Sequence, residues 1–218
     1  MLAISCGQNQ IKQNKKETLN EFNKINYSDS IFRYRVNYDT VLSSNWKISY
    51  LVKNDSTKYK DIYLKVAKGK DSSIYFLERY LELRNYFIPI FSKENESFIF
   101  FEHGCATSCK AVMTFNKKTL RFQDFTQIID YSEKTNQIVW LSNQILSDDK
   151  PFKVQVTDLL KQKDSTIGFN NLALGTIKDS YIDSVIFNKD NTIINCTLID
   201  KNDYNRTREV KETKIIKL

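Results

Sequence analysis

The clearest structural signal in this chain is the alternation in Thr192-Ile193-Ile194-Asn195-Cys196-Thr197-Leu198-Ile199. Successive side chains of a β-strand point to opposite faces, so Ile194, Cys196 and Leu198 would share one face. The stretch is rich in β-branched residues and contains no glycine or proline, which favours a strand over a helix. We therefore predict a strand here with one buried face, on which Cys196 is a buried and inert thiol, with a bridge to Cys105 or Cys109 as the open alternative.

The same period of two recurs from about residue 30 to the end of the chain. Short segments rich in Ile, Val, Phe, Tyr and Thr are separated by turns of Asn, Asp, Ser and Lys. This pattern predicts an all-β fold of antiparallel sheets built from repeated hairpins, either a β-sandwich or a propeller-like array. The predicted strands are Phe32–Val36, Trp46–Val52, Lys60–Val66, Ser97–His103, Lys110–Phe115, Leu120–Ile129, Gln137–Leu141, Phe152–Val156, Ser184–Phe187, Thr192–Ile199 and Glu209–Ile216.

Three hairpins look like copies of one pattern. Phe115–Leu120 and Phe187–Ile193 each place Asn and Lys directly after an apolar strand end, and Phe91–Phe98 is a looser version. Two other regions depart from the period of two. Thr18–Ile25 has apolar residues three apart, and Ser73–Asn85 fits a helix slightly better than a strand, so we expect one or two short helices.

Composition places the chain among globular proteins. Its 218 residues are 41% hydrophobic and 27% charged, with a single His, five Gly and two Pro. The sequence contains no run of 18 apolar residues, so it predicts no membrane-spanning helix. The net charge is +7, but the cations are dispersed among acidic residues, so we expect a solvated surface with some attraction to anionic membranes rather than nucleic-acid binding.

The N-terminus Met1-Leu2-Ala3-Ile4-Ser5-Cys6-Gly7 leads from small and apolar residues to a Cys, and a polar stretch follows it. This resembles the end of a bacterial lipoprotein signal peptide, although Ala3 stands where that family usually has Leu. The resemblance implies that Cys6 becomes the first residue of the mature protein. It also implies that Cys6 carries a diacylglycerol and often a third acyl chain, such as palmitate.

The resemblance also implies an organisation and a location. Residues 1–5 would be the remnant of a signal peptide that begins upstream, 6–28 a lipid-anchored tether, and 29–218 a single β domain. The protein would be anchored to a membrane of the bacterial cell envelope, on the periplasmic or cell-surface side. We expect a non-catalytic binding or assembly module without a cofactor, whose protein or glycan ligand the sequence does not identify.

One stretch gathers most of the reactive side chains. Glu102-His103-Gly104-Cys105-Ala106-Thr107-Ser108-Cys109 contains the only His and two of the four cysteines. Because an exported protein folds in oxidising surroundings, the leading interpretation is a structural disulfide between Cys105 and Cys109. Small residues between the two cysteines would allow the chain to turn.

Three alternatives remain open. Glu102, His103, Cys105 and Cys109 are ligands that zinc accepts, although no second pair of cysteines accompanies them. His103 could instead stabilise a Cys105 thiolate and support a thiol-dependent enzyme. The third alternative is an envelope inhibitor or immunity-type protein, for which the turn at Ala106–Ser108 would be the contact loop.

Two further patterns are better explained by structure than by ligand binding. Asp200–Asn205 has oxygen ligands at calcium-like spacing, but it lacks the Gly and closing Glu of an EF-hand loop, so a polar turn is the better interpretation. Four aromatic residues could form a binding face, but in a β protein they more often pack across strands. These are Trp46, Tyr59, Tyr63 and Trp140.

Overall fold

The computed structural model describes residues 22–24, 39–53, 60–80, 88–106, 109–141, 153–173 and 181–218. Within these ranges the chain forms β-strands and no helix, which confirms the all-β prediction. The strands are β1 (Phe22–Lys24), β2 (Thr40–Val41), β3 (Lys47–Lys53), β4 (Lys60–Lys68), β5 (Asp71–Tyr80), β6 (Ile90–Glu94), β7 (Phe98–Ala106), β8 (Cys109–Asn116), β9 (Arg121–Thr126), β10 (Ile128–Ser132), β11 (Gln137–Trp140), β12 (Lys153–Asp158), β13 (Lys163–Gly168), β14 (Ile182–Phe187), β15 (Asn191–Ile199) and β16 (Glu209–Lys217).

The strands form four sheets that follow one another along the chain. Sheet A has the order β1-β3-β4-β5, with β2 also paired to β3, and sheet B has the order β6-β7-β8-β9. Sheet C is β10-β11-β12-β13 and sheet D is β14-β15-β16. Nearly every strand pairs with its neighbour in sequence, as expected for repeated hairpins. The pairing is antiparallel in sheets A, C and D and between β6 and β7 of sheet B.

The described residues divide into two compact units. The N-terminal unit lies within Asn9–Cys105 and Val112–Asp124, and the C-terminal unit comprises Ala106–Ala111 and the described part of Phe125–Leu218. In the N-terminal unit, sheets A and B pack their apolar faces into one core. Its buried residues are Leu42, Trp46, Ile48, Tyr50, Val52, Ile62, Leu64, Val66, Ile88, Ile99, Phe101, Met113 and Phe115.

The C-terminal unit has its own core between sheets C and D. Its buried residues are Val139, Leu141, Val154, Val156, Phe169, Tyr181, Ile194, Cys196, Leu198 and Ile216. Ile194, Cys196 and Leu198 are fully buried on one face of β15, as the alternation predicts. The buried Gln137 joins the two sheets, because its amide donates to the Asn188 carbonyl and accepts from the Thr192 hydroxyl.

Several hairpin turns share one hydrogen-bonding pattern. Asn95, Asn116 and Asp158 each stand at a strand end, and each side-chain Oδ1 accepts from the backbone N–H groups two and three residues later. Such Asx turns reverse the chain without leaving its amides unpaired. The predicted likeness between Phe91–Phe98 and Phe115–Leu120 therefore has a physical basis. The third hairpin differs in its side chain, because Asn188 Nδ2 donates to Oδ1 of Asn191. Its backbone bond from Asn188 N–H to the Asn191 carbonyl matches the one from Asn95 N–H to the Phe98 carbonyl.

The helix predicted over Ser73–Asn85 is wrong where the structure describes it. Ser73–Tyr80 belongs to β5, which pairs with β4 from Lys68↔Asp71 to Lys60↔Tyr80 after a tight turn. Gly69 enables that turn because its φ of +59° lies in the left-handed region that glycine adopts freely. Tyr75 and Leu77 then pack on the core at strand spacing, so tertiary pairing overrides the weak helical pattern.

The predicted helix at Thr18–Ile25 is also wrong where the structure describes it. Phe22–Lys24 is β1, which pairs antiparallel with β3 through Phe22↔Lys53. These three residues lie inside the segment 6–28 that the sequence predicts to be a tether. The predicted strand Phe32–Val36 lies outside the described residues, and so does Cys6.

Candidate functional site

The chemical cluster at Glu102–Cys109 lies where β7 ends and β8 begins. Glu102, His103 and Cys105 are on β7, and Cys109 is the first residue of β8. The two strands are neighbours in sheet B, so the chain reverses between them. Thr107 and Ser108, which belong to the predicted contact loop, lie outside the described residues.

Cys105 and Cys109 are joined by a disulfide bond, which is the pairing that the sequence predicts. The bond ties the end of β7 to the start of β8 across the hairpin. Because both sulfurs are used in it, neither is available as a thiolate nucleophile or as a metal ligand in this state. Within the described part of the chain, Cys196 is the one free cysteine, and it is buried.

The only histidine is held by two acceptors. Its Nε2 lies 2.9 Å from Oδ1 of Asp124 on β9, and its Nδ1 lies 2.8 Å from the Gly104 carbonyl oxygen. Both partners can only accept, so both ring nitrogens must carry a proton to make these bonds. The side chain of His103 is 8% exposed and that of Asp124 is 30% exposed. The arrangement therefore fits an imidazolium ion paired with a carboxylate.

The direction in which the pKa of His103 is shifted agrees with an imidazolium ion. Burial of the ring lowers the pKa of His103, but the hydrogen bond and charge of Asp124 and the Gly104 carbonyl raise it more, so the net pKa is above its usual value. The neighbouring Tyr75 has a raised pKa because its phenol is buried, with a further contribution from the negative charge of Asp124. An imidazolium in this setting is not ready to accept a proton as a general base.

Glu102, the remaining member of the cluster, is hydrogen-bonded outside it. Glu102 accepts a hydrogen bond of 2.9 Å from the Ser92 hydroxyl on β6. The structure thus gives Glu102, His103 and the two cysteines separate partners. In the ranges that the structure describes, no three His, Cys, Asp or Glu side chains are grouped so as to hold a metal ion.

No family model, curated protein or solved structure matches this chain. Among the segments that the structure describes, no helix is long and apolar enough to cross a membrane.

A second polar cluster, which sequence reasoning missed, joins sheets A and B inside the N-terminal unit. Lys117 Nζ lies 2.7 Å from Oε2 of Glu94, and Glu94 also accepts from the hydroxyls of Ser43 and Ser44. Lys117 donates as well to the Asn95 carbonyl. Both charged side chains are nearly buried, at 9% and 13% exposed. Burial opposes ionisation of Glu94, but the hydrogen bonds from Lys117, Ser44 and Ser43 lower its pKa to about 2.

The stretch with calcium-like spacing forms part of the loop between β15 and β16. The carboxylates of Asp200 and Asp203 accept hydrogen bonds from backbone N–H groups of their own loop. Their oxygens serve as turn-forming acceptors, which confirms the interpretation of Asp200–Asn205 as a polar turn.

The aromatic residues pack rather than forming an open face. Trp46 and Phe115 make an edge contact in the core, with ring centroids 5.3 Å apart. Tyr63 is buried between Phe22 and Phe76. Trp140 donates its indole N–H to the Thr157 hydroxyl and packs edge-on against Phe125, whereas Tyr59 lies outside the described residues.

Cys196 has the properties of a structural thiol. It is fully buried, and burial raises the pKa of its thiol to about 12, with smaller contributions from Asp183 and Glu212. A thiol with so high a pKa carries almost no thiolate at neutral pH, so it reacts slowly.

Proposed function

We propose that this chain is an exported protein of the bacterial cell envelope, anchored to a membrane by lipid on Cys6. Its β body acts as a non-catalytic binding or assembly module. The N-terminal residues Ala3-Ile4-Ser5-Cys6 motivate the anchor, because they resemble the site at which lipoprotein signal peptides end.

The observation that carries the proposal is the closed disulfide between Cys105 and Cys109. Structural disulfides persist in oxidising compartments such as the periplasm and the cell surface, and they are rare in the cytosol. The bond therefore supports export independently of the N-terminal residues. It also converts the most reactive cluster of the sequence into a structural element.

The surroundings of His103 support a non-catalytic role for this region. A thiol-dependent enzyme would need a reduced Cys105 and an imidazole free to accept its proton. Here the ring is bonded on both nitrogens, by Asp124 and by the Gly104 carbonyl. The His103–Asp124 pair instead links β7 to β9 next to the disulfide, where it stabilises the end of sheet B.

The intact mass of the protein from the membrane fraction tests this proposal. We expect a chain that begins at Cys6 and carries added acyl mass. An alkylating reagent should add nothing to the native protein, and two groups once the disulfide is reduced. A third group should be added only after denaturation, because Cys196 is buried.

Two variants serve as controls. Cys6→Ser should release the protein from the membrane fraction and leave the alkylation pattern unchanged. Cys105→Ser combined with Cys109→Ser should remove the two groups gained on reduction and leave the acyl mass unchanged. An unmodified chain with Cys105 and Cys109 alkylated without reduction would contradict both parts of the proposal, and it would favour a thiol-dependent activity.

A further inference from the structure

The loop between β15 and β16, residues Asp200–Arg208, is fixed by its own hydrogen bonds. Oδ2 of Asp203 accepts from the backbone N–H groups of Thr207 and Arg208 and from the Thr207 hydroxyl, and Oδ1 accepts from Asn205 N–H. Asp200 N–H and the Arg208 carbonyl close the base of the loop at 2.8 Å. The loop therefore has a defined conformation before it meets any partner.

These hydrogen bonds hold the carboxylates of the loop against its own backbone, whereas its cationic side chains are exposed to solvent. The two carboxylates face its backbone, and Asp200 also pairs with Arg208 at 3.4 Å. The three cationic residues Lys201, Arg206 and Arg208 are exposed. Tyr204 stands among them with its side chain wholly exposed, at 101% of its reference accessibility. The loop thus exposes one aromatic ring in a nine-residue segment that also exposes three cations, of which Arg208 is paired with Asp200.

We propose that this loop docks on an anionic membrane surface. Tyrosine is enriched at the membrane–water interface, where its ring contacts the acyl boundary and its hydroxyl stays hydrated. Lysine and arginine are attracted to anionic lipid headgroups around it. The loop thus combines the two kinds of side chain that a headgroup layer attracts.

The inference rests on the proposed function, because a lipid anchor on Cys6 would keep the body close to a membrane. A tether raises the effective concentration of a weak second contact into the millimolar range, so a contact that is negligible in free solution becomes populated. Docking through this loop would orient sheet D, so that its opposite end, at the turn between β14 and β15, faces away from the lipid.

The small size of the loop favours a membrane over an acidic protein. A specific protein interface buries roughly 1,200–2,000 Å² in total, centred on a packed apolar patch. The loop has nine residues and one aromatic side chain, Tyr204, which is too little surface for an interface of that size. A headgroup layer needs no shape match, and its attraction grows with each cation that approaches it.

The test uses the full chain with Cys6→Ser, so that no acyl chain contributes. Tyr204→Trp is added as a fluorescence reporter. The two native tryptophans should respond less to lipid, because Trp46 is buried and Trp140 is partly buried. With vesicles of equal parts phosphatidylglycerol and phosphatidylcholine at low salt, we expect a blue shift of the emission and co-sedimentation of the protein. Pure phosphatidylcholine vesicles should give neither, and 0.5 M salt should reverse both because it screens the charges.

Two double variants keep Tyr204, and each removes two positive charges. One removes them from the loop, and the other removes them from other turns of the same unit. Lys201→Gln with Arg206→Asn should weaken partitioning about fivefold for each cation removed. Asn is chosen because Arg206 has a φ of +54°, which Asn tolerates. The control, Lys134→Gln with Lys189→Gln, removes two exposed lysines from other turns of the same unit. Tyr204→Ala should also weaken partitioning.

Three results would overturn the inference. One is absence of binding to anionic vesicles at low salt. Another is an equal loss in the loop variant and in the control, which would show attraction by net charge alone. The last is tighter binding to polyglutamate than to vesicles, which would assign the loop to an acidic protein. Because the tested chain is unacylated, none of these results depends on the anchor, and a missing acyl group on the wild-type protein would leave the vesicle result standing.

Discussion

Asp124 on β9 holds His103 on β7 at 2.9 Å, although β8 lies between these strands in sheet B. The ion pair therefore spans three strands at the end where the disulfide closes the β7–β8 hairpin. With both ring nitrogens bonded to acceptors, the protonation state of His103 is coupled to the geometry of this sheet. Because the chain contains a single histidine, this coupling can be measured without ambiguity of assignment.

Asp124→Asn should lower the pKa of His103. The variant keeps a similar shape but removes the negative charge that favours the imidazolium, while the burial that opposes it remains. We expect a folded-state pKa at or below the ordinary value of about 6.5, and a loss of unfolding free energy of about 1–2 kcal/mol near pH 6. An NMR titration of the histidine ring gives the pKa. Asp71→Asn, at an exposed position of the same unit, is the control and should leave the titration unchanged.

The stability of the protein should fall as pH rises through the folded-state pKa of His103. That pKa is raised relative to the unfolded chain, so the folded state binds the proton more tightly. The contribution is fully present below about pH 6.5 and is lost above the folded pKa. Urea unfolding between pH 5.5 and 8.5 measures this slope. His103→Gln should remove it, and a slope that persists in that variant would assign the effect to another group.

Removing the disulfide should have a moderate effect on stability. The loop that it closes is short, so the chain-entropy model gives a loss of about 2 kcal/mol of unfolding free energy. Cys105→Ser with Cys109→Ser should lower the urea midpoint by the amount that a reductant lowers it in the wild type. A reductant that still shifts the midpoint of the double variant would mean that the remaining cysteines contribute a bond of their own.

Much of this fold can be predicted from the alternation of apolar and polar residues. Strands with one buried face, such as β4 and β15, are identified because every second residue packs in a core. Strand β13 was missed because Lys163–Gly168 contains a single large apolar residue, Ile167, and lies at an edge of sheet C. Edge strands bury less surface, so their sequences carry a weaker pattern.

The sequence predicts the disulfide of the site but not its ion pairs, because the paired charges lie far apart along the chain. The disulfide joins residues four apart, so the sequence shows both partners together. Asp124 is 21 residues from His103, and Lys117 is 23 residues from Glu94. Such pairs become neighbours only through the order and register of the strands, which local spacing does not specify. The turn at Asn116 was recognisable as one of a repeated set, whereas the turn at Asp158, which has the same hydrogen-bonding pattern, was not predicted.

The ion pair between Glu94 and Lys117 should make the N-terminal unit sensitive to acid. The folded pKa of Glu94 is about 2, below the value of 4.5 expected for a free side chain. Its contribution is therefore present above about pH 4.5 and is lost as pH falls towards 2. Glu94→Gln should lower the unfolding free energy at pH 7 by about 2 kcal/mol, because Lys117 stays nearly buried without its counter-charge.

Urea unfolding of the wild type and Glu94→Gln at pH 7, 4.5 and 3 separates this effect from general acid destabilisation. The difference between the two proteins should be largest at pH 7 and should shrink at pH 3, where Glu94 is already protonated in the unfolded chain but still mostly ionised in the folded protein. Glu96→Gln is the matched control, because Glu96 is exposed two residues away and should change stability by less than about 0.5 kcal/mol. A difference that stays constant with pH would show that Glu94 acts through packing and hydrogen bonding rather than through its charge.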